Sequence, residues 1–280
     1  MTLAAEVEAL SAAGPATDRQ AAREAFARLR AQLSAGEVRA AEPDPSTETG
    51  WRVNTWVKQG ILLGFKFGDI ADMSSDHGRW PFFDKDTLPL KRIDAQSGVR
   101  VVPGGSTVRD GAFLGRGVIC MPPMYINIGA WVGEDTLVDS HALVGSCAQI
   151  GARVHLSAAV QVGGALEPPG AMPVIVEDEA FVGGGCGLYE GTRVGRGAVL
   201  APGVVLTRAV PMFDLVHART IEADGDGTLA VPERAVVVPG TRPARSDWAR
   251  AQGLSLYAPV IVKYRDAATD AAAALEEALR

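Results

Sequence analysis

Apolar residues recur along the middle of the chain with a period of six. Counting from Val108, every sixth residue is Val108, Leu114, Cys120, Ile126, Val132, Val138, Val144, Ile150, Leu156 and Val162. About half of residues in an average protein are apolar, so ten in a row has a chance on the order of one in a thousand. A second run follows at a shifted phase: Val176, Val182, Leu188, Val194, Leu200, Leu206 and Met212. The fourth residue after most of these is small or apolar, as at Ala112, Val118, Ala130, Thr136, Ala142 and Ala148, then Ala180, Cys186, Thr192 and Ala198. Six is the period of neither a single strand nor a helix. It is the signature of a parallel β-helix, in which each hexad is a short strand plus a turn and three hexads close one triangular coil. The sixth-position aliphatics point inward and stack between coils, and the small residues fit the inner corners. Gly, Asn or Asp beside the aliphatic is expected to supply the unusual turn backbone. Seventeen hexads make between five and six coils, a prism roughly 27 Å tall. A sandwich of short strands would instead show period 2 and irregular turn spacing.

The regular region, about 101 to 215, is interrupted once. Fourteen residues separate Val162 from Val176 where one hexad needs six, so an excess of eight within "GGALEPPGAMPVI" must leave the prism as a loop, about 163–175. Residues 1–100 read as a helical and mixed N-terminal domain. "DRQAAREAFARLRAQLSAG" places Ala22, Phe26, Leu29 and Leu33 near the 3.6 period, with Asp18 as N-cap and Gly36 as stop. "AEPDPSTETG" reads as a loop, "WRVNTWVKQGILLGFKF" as a helix running into a strand, and "PFFDKDTLPL" as mixed. Residues 216–280 form a C-terminal cap: a further partial coil in "VPERAVVVPG", a strand in "SLYAPVIVKY" and a helix in "DAATDAAAALEEALR". Such caps cover the exposed strand edges at a solenoid's end.

Net charge is −6, which argues against nucleic acid as a partner. Three cysteines, an odd count without a CxxC pair, suit a reducing cytosol. "MTLAAEVEAL" carries no basic segment, no apolar run approaches the ~20 residues of a membrane span, and a cytoplasmic location is expected.

Asp139 supports two readings: a turn residue bonding its own backbone, or a carboxylate on a prism edge that orients or deprotonates an amine. His77, His141, His155 and His217 show no metal-ligand spacing, so no metal is expected. His141 lies two residues from Asp139, in reach of a supporting role. Cys120, Cys147 and Cys186 fall on inward or wall positions, where cysteine packs inertly. Arg100, just before the first coil, is suited to bonding a carboxylate through two parallel hydrogen bonds. Glu167, in the extruded loop, and Glu190 are further candidates.

"WVKQGILLGF", "FFDK", "RVVPGG", "INIGAWV", "TLVDSHALVGSCAQIGARVHLS" and "VGGALEPP" resemble the tetrahydrodipicolinate N-succinyltransferase family, from about Trp51 to Lys263. The resemblance implies a left-handed parallel β-helix, a homotrimer with active sites between subunits, and transfer of the succinyl group of succinyl-CoA to the amine of acyclic 2-amino-6-oxopimelate, in the diaminopimelate route to lysine. Succinyl-CoA is then a co-substrate and no cofactor is tightly bound. Matched by motif, Arg100 and Asp139 bind substrate, with Asp139 also catalytic. Ser157 and Glu167 join them at the substrate, and Gly163, Gly164 and Gly183 line the coenzyme A groove. The chain departs from the family at His141, where many members have Trp, and at Gly187, where some carry a Glu. A rival reading keeps the acceptor and uses acetyl-CoA. A sugar-nucleotide acyltransferase, a zinc lyase and a non-catalytic scaffold compete with it more distantly.

Overall fold

The computed structural model describes residues 1–74, 81–225 and 227–266. Between Arg100 and Val237 the chain winds into three parallel sheets, the faces of a left-handed parallel β-helix. Within a face, pairing advances one coil at a time: Val132 lies beside Leu114 on one side and Ile150 on the other. One face, the Trp131 face, contains Trp131–Val132. The Leu137 face contains Leu137–Val138, and the Leu143 face contains Leu143–Val144. After Ile150 the partner is Val176, and Leu143–Val144 still pairs Gln161–Val162. The eight extra residues therefore leave the wall between Val162 and Ile175, as the spacing requires. Every aliphatic of both runs is buried, and so are the small residues at the fourth position. Their stacked column is the core of the prism.

The sequence expectation for the turns is corrected. The left-handed backbone falls on the third residue after the aliphatic, including Asp135, His141, Cys147, Arg153 and Ala159, with φ between 55° and 68°. The residue beside the aliphatic is small for a different reason, the closeness of the next coil. A Cβ on Gly133 would lie 2.5 Å from the carbonyl carbon of Gly151.

Three N-terminal helices pack together, α1 (Leu3–Ala12), α2 (Arg19–Ala35) and α3 (Thr55–Phe67). Two of them, α2 and α3, pack against the prism. In α2 the Asp18 side chain accepts the Ala21 N–H and Gly36 ends the helix at φ 76°. The face of Phe26, Leu29 and Leu33 meets Val57 and Ile61 of α3 and continues onto Ile128 and Cys147 of the prism. Two short elements differ from expectation. Trp51–Val53 is a strand that precedes α3, the reverse of the predicted order, and it pairs antiparallel with Ala41–Pro43 inside the expected loop. Three-residue strands are too short to show a period. The Asn54 amide bonds the Arg39 carbonyl at 2.9 Å and marks the switch to helix. Phe83–Lys85 pairs with Ile70–Asp72.

At the far end Ala230–Val231 adds a rung to the Trp131 face. Ala235–Pro243 then joins the Leu137 face and turns back through Ser255–Tyr264 as a long antiparallel arm. Asp214 fixes the arm to the prism end, accepting from Tyr264 Oη at 2.9 Å, Arg219 Nε at 3.0 Å and pairing with His217 Nδ1 at 2.8 Å. The expected C-terminal helix and His77 lie outside the described residues.

Candidate active site

Asp139 directly follows the strand Leu137–Val138. It sits in a corner column with Met121, Ser157, Gly183 and Ala201, joined coil to coil: the Asp139 N–H bonds Leu156 O at 2.9 Å, Ser157 N–H bonds Val182 O at 3.0 Å and Gly183 N–H bonds Leu200 O at 2.8 Å. Three of the residues expected at the site, Asp139, Ser157 and Gly183, thus share one prism edge. A corner repeats every three hexads, so the period of six merges three different corners. Glycine is the habit of another corner, at Gly115, Gly133, Gly151 and Gly195. Asp139 does not hold the left-handed turn position, which belongs to His141 at φ 61°. One carboxylate oxygen, Oδ1, accepts the Ser140 N–H at 2.6 Å. The other has no hydrogen-bond partner among the described residues, and the side chain is half-buried. Asp139 is held in place by one oxygen and presents the second.

Arg100 begins the first strand of the same face, Arg100–Val101, which pairs with Ile119–Cys120, which in turn pairs with Leu137–Val138. Its guanidinium is exposed and makes no hydrogen bond or ion pair among the described residues. Two strand spacings, about 10 Å, separate it from the Asp139 strand. This is within the combined reach of an arginine side chain and an extended dicarboxylate.

The remaining expected residues gather elsewhere. Gly163, Gly164 and Glu167 line a cleft of about 420 Å³ with Tyr189, Glu190 and Arg208. It lies at the corner after the Leu143 face, so one chain alone does not join it to the Asp139 edge. Glu190 is exposed, and its carboxylate accepts the Arg208 N–H at 3.2 Å. Sequence reasoning does not single out Tyr189 or Arg208. A signal for Tyr189 is present: it stands where Gly145 and Gly163 stand in the same corner. Its ring lies across Gly187, with Cε2 2.6 Å from where a Cβ would be, so the ring fills the room a side chain at 187 needs. Glu177 also breaks a glycine column, and its use is structural. It accepts from Trp51 Nε1 at 3.2 Å and from the Arg196 N–H at 3.0 Å, tying the N-terminal hairpin to the prism.

The loop that walls the cleft is anchored from below. Lys58, fully buried in α3, donates its ammonium to the Ala171 carbonyl. Burial lowers the Lys58 pKa, opposed by the nearby Cys147. Burial pushes the Cys147 thiol up to about 12, against the pull of Lys58, and Cys120 likewise to about 12. All three cysteines are buried, and neither of these two thiols is a nucleophile at neutral pH. Among the described residues no three His, Cys, Asp or Glu side chains converge as a metal site, and no helix is long and apolar enough to cross a membrane.

Residues 4–67 match the model of the tetrahydrodipicolinate N-succinyltransferase N-terminal region, and 173–208 that of the hexapeptide repeat of succinyl-transferase. A 2,3,4,5-tetrahydropyridine-2,6-dicarboxylate N-succinyltransferase of Methylobacterium sp. (strain 4-46) is 39% identical over 262 residues, 92% of this chain and 90% of the relative. The protein of the same name from Idiomarina loihiensis is 41% identical over 271 residues, 94% and 91% of the two chains. Among solved structures, a hexapeptide transferase family protein from Anaplasma phagocytophilum aligns with TM-score 0.43 and 16% identity over 65% of this chain and 87% of its own. With relatives this similar along nearly its whole length, the chain belongs to the tetrahydrodipicolinate N-succinyltransferase family.

Proposed function

We propose that this protein moves the succinyl group of succinyl-CoA onto the amine of acyclic 2-amino-6-oxopimelate, the hydrated, ring-opened form of tetrahydrodipicolinate, as a cytoplasmic homotrimer. The observation that carries the site is the pairing of a half-buried carboxylate holding one oxygen free, at Asp139, with an unpaired guanidinium on the same face, at Arg100. A dianionic amine needs both: a positive fork for a carboxylate and an acceptor for the amine N–H.

In this reading Arg100 grips one substrate carboxylate through two parallel hydrogen bonds. Asp139 Oδ2 accepts from the amine, keeps its lone pair aimed outward and receives its proton as the bond forms. Ser157, one coil along the same edge, offers a hydroxyl to the substrate, and Glu167 approaches it from the loop. The amine attacks the thioester carbonyl, and the tetrahedral oxyanion collapses by expelling the coenzyme A thiolate. The proton taken from nitrogen leaves with the thiol, and an amide remains. Gly163 and Gly164 line the cleft as bare backbone against which the pantetheine arm lies, and Gly183 sits on the acceptor edge. Because the Asp139 edge and the Gly163 cleft occupy different corners of one prism, the complete site is assembled from two neighbouring protomers.

A thiol-release assay tests this with tetrahydrodipicolinate as acceptor and succinyl-CoA or acetyl-CoA as donor. Release is expected with succinyl-CoA. Equal or faster release with acetyl-CoA reassigns the donor, and no release with either leaves a scaffold. Asp139→Asn is expected to lower kcat by about 10²–10⁴-fold with unchanged thermal unfolding. Near-normal turnover would leave Asp139 a corner residue only.

A further inference from the structure

The Leu143 face carries an aromatic ring seated on bare backbone. Gly187–Leu188 is a rung of that face, paired with Gln161–Val162 on one side and Val205–Leu206 on the other. Tyr189 follows this rung and turns its ring back over it. A Cβ on Gly187 would lie 2.6 Å from the ring's Cε2 and 3.0 Å from its hydroxyl oxygen, and a Cβ on Gly163 would lie 3.1 Å from Cδ1. Two glycines in neighbouring coils therefore seat the ring, Gly163 at its near edge and Gly187 at its phenol end. The backbone of Tyr189 is fixed as well: its N–H bonds Leu206 O at 3.0 Å and its carbonyl accepts the Thr192 N–H at 3.1 Å.

The hydroxyl at the end of this ring is free. It has no hydrogen-bond partner among the described residues, Tyr189 is 38% exposed, and it lines the cleft of Gly163 and Gly164. Two other side-chain donors of that cleft are less suited to meet a ligand. The Thr228 hydroxyl oxygen is buried, and Arg208 already has Glu190, at 3.9 Å. Tyr189 thus brings to the cleft a neutral O–H held by packing, with no protein partner to give up. Stabilising an oxyanion needs such a donor, fixed in place before the charge develops.

We propose that the Tyr189 hydroxyl is a catalytic group of the transfer, donating a hydrogen bond to the thioester carbonyl oxygen as it becomes the oxyanion. This rests on the acyl-CoA reading above. The nitrogen–carbon bond forms while the carbonyl π pair moves onto oxygen, and Tyr189 bonds that oxygen without giving up its proton. When the pair returns, the carbon–sulfur bond breaks and the thiol leaves with the proton that Asp139 took. Gly187 is the positioning residue, because a side chain there displaces the phenol.

The test measures succinyl transfer to tetrahydrodipicolinate by three variants. Y189F keeps the ring and removes only the hydroxyl, G187A pushes the ring from its seat, and G187A/Y189F combines them. Y189F is expected to lower kcat about a hundredfold at nearly unchanged KM for succinyl-CoA, with coenzyme A affinity by calorimetry and thermal unfolding both at wild-type values. G187A should lose a similar factor, and the double variant no more than Y189F alone, because both changes act through one hydroxyl. Near-normal kcat in Y189F overturns the proposal. A raised KM at unchanged kcat also overturns it, since the hydroxyl would then be a ground-state contact only. Losses that multiply in the double variant remove Gly187 as the seat. If Y189F does not fold, the kcat of G187A decides, with a near-normal value overturning the role of the phenol. A wild type that releases no thiol with succinyl-CoA or acetyl-CoA sinks the enzymatic reading and Tyr189 with it. An active wild type with an unaffected Y189F sinks the Tyr189 role alone.

Discussion

Gly133 and Gly203 occupy similar-looking hexads, yet the physical demands on them differ. Gly133 has a neighbouring backbone carbon 2.5 Å from its missing Cβ, whereas Gly203 sits at φ 79° with nothing within 4 Å. Gly133→Ala must push two coils apart and is expected to cost about 3 kcal/mol. Gly203→Ala meets only the left-handed backbone, about 1 kcal/mol. Urea unfolding of the two variants measures the difference, and equal losses would remove the distinction between crowding and backbone strain. The same distinction explains what the sequence hides at Asp139. A period of six makes all corners look alike, and only a period of three hexads separates the glycine corner from the column Met121, Asp139, Ser157, Gly183, Ala201. By the period of six Asp139 stands out as a departure from glycine, but glycine is not the habit of its column. The real departure from a glycine column is Glu177, while Tyr189 follows two glycines, Gly145 and Gly163, in a mixed column, and only the longer period reveals either.

At the scale of elements, the prism is legible in the sequence because its period is enforced by stacking, residue upon equivalent residue, over every coil. The N-terminal hairpin is not. Strands of three residues carry no period, and Trp51–Val53 borders the apolar run of α3, so the boundary at Asn54 depends on a hydrogen bond to Arg39 rather than on any pattern. The extruded loop is an intermediate case, since its excess of eight follows from arithmetic while its anchor does not. Nothing in the helical pattern marks Lys58, which is fully buried beneath the Ala171 carbonyl. Excising residues 165–172 restores a plain hexad between Val162 and Val176. Done alone it strands a buried ammonium, so Lys58→Met belongs with it. The combined variant is expected to keep its circular dichroism spectrum and to unfold within a few degrees of wild type, because loop length alone changes stability little. If the cleft holds the donor as proposed, succinyl transfer should fall at least about a hundredfold, since one of its walls is gone. Retained transfer would mean the loop is a tolerated insertion.

At the scale of the whole molecule, the decisive fact is that a three-sided prism puts the Asp139 edge and the Gly163 cleft on different corners, where a single chain cannot close them on one substrate. The proposed cyclic trimer would resolve this, because its rotation would bring the edge of one protomer to the cleft of the next and form three equivalent sites. The consequence can be measured by mixing two inactive proteins. Asp139→Asn removes the proposed carboxylate base and leaves the cleft intact. Ala165→Trp fills the cleft that Ala165 lines and leaves the carboxylate in place. If each site takes its carboxylate from one protomer and its cleft from another, co-refolding equal amounts yields sites with both parts intact in about a quarter of cases, from random assortment around a cyclic ring. Thiol release should then recover to about a quarter of the wild-type rate per site. If each chain built its own site, no chain in the mixture would hold both parts and the mixed protein would stay inactive. Recovery therefore tests two things together, the trimer and the assignment of carboxylate and donor to opposite sides of the subunit boundary. Sedimentation of the same sample separates them: a trimer without recovery keeps the assembly and rejects the shared site.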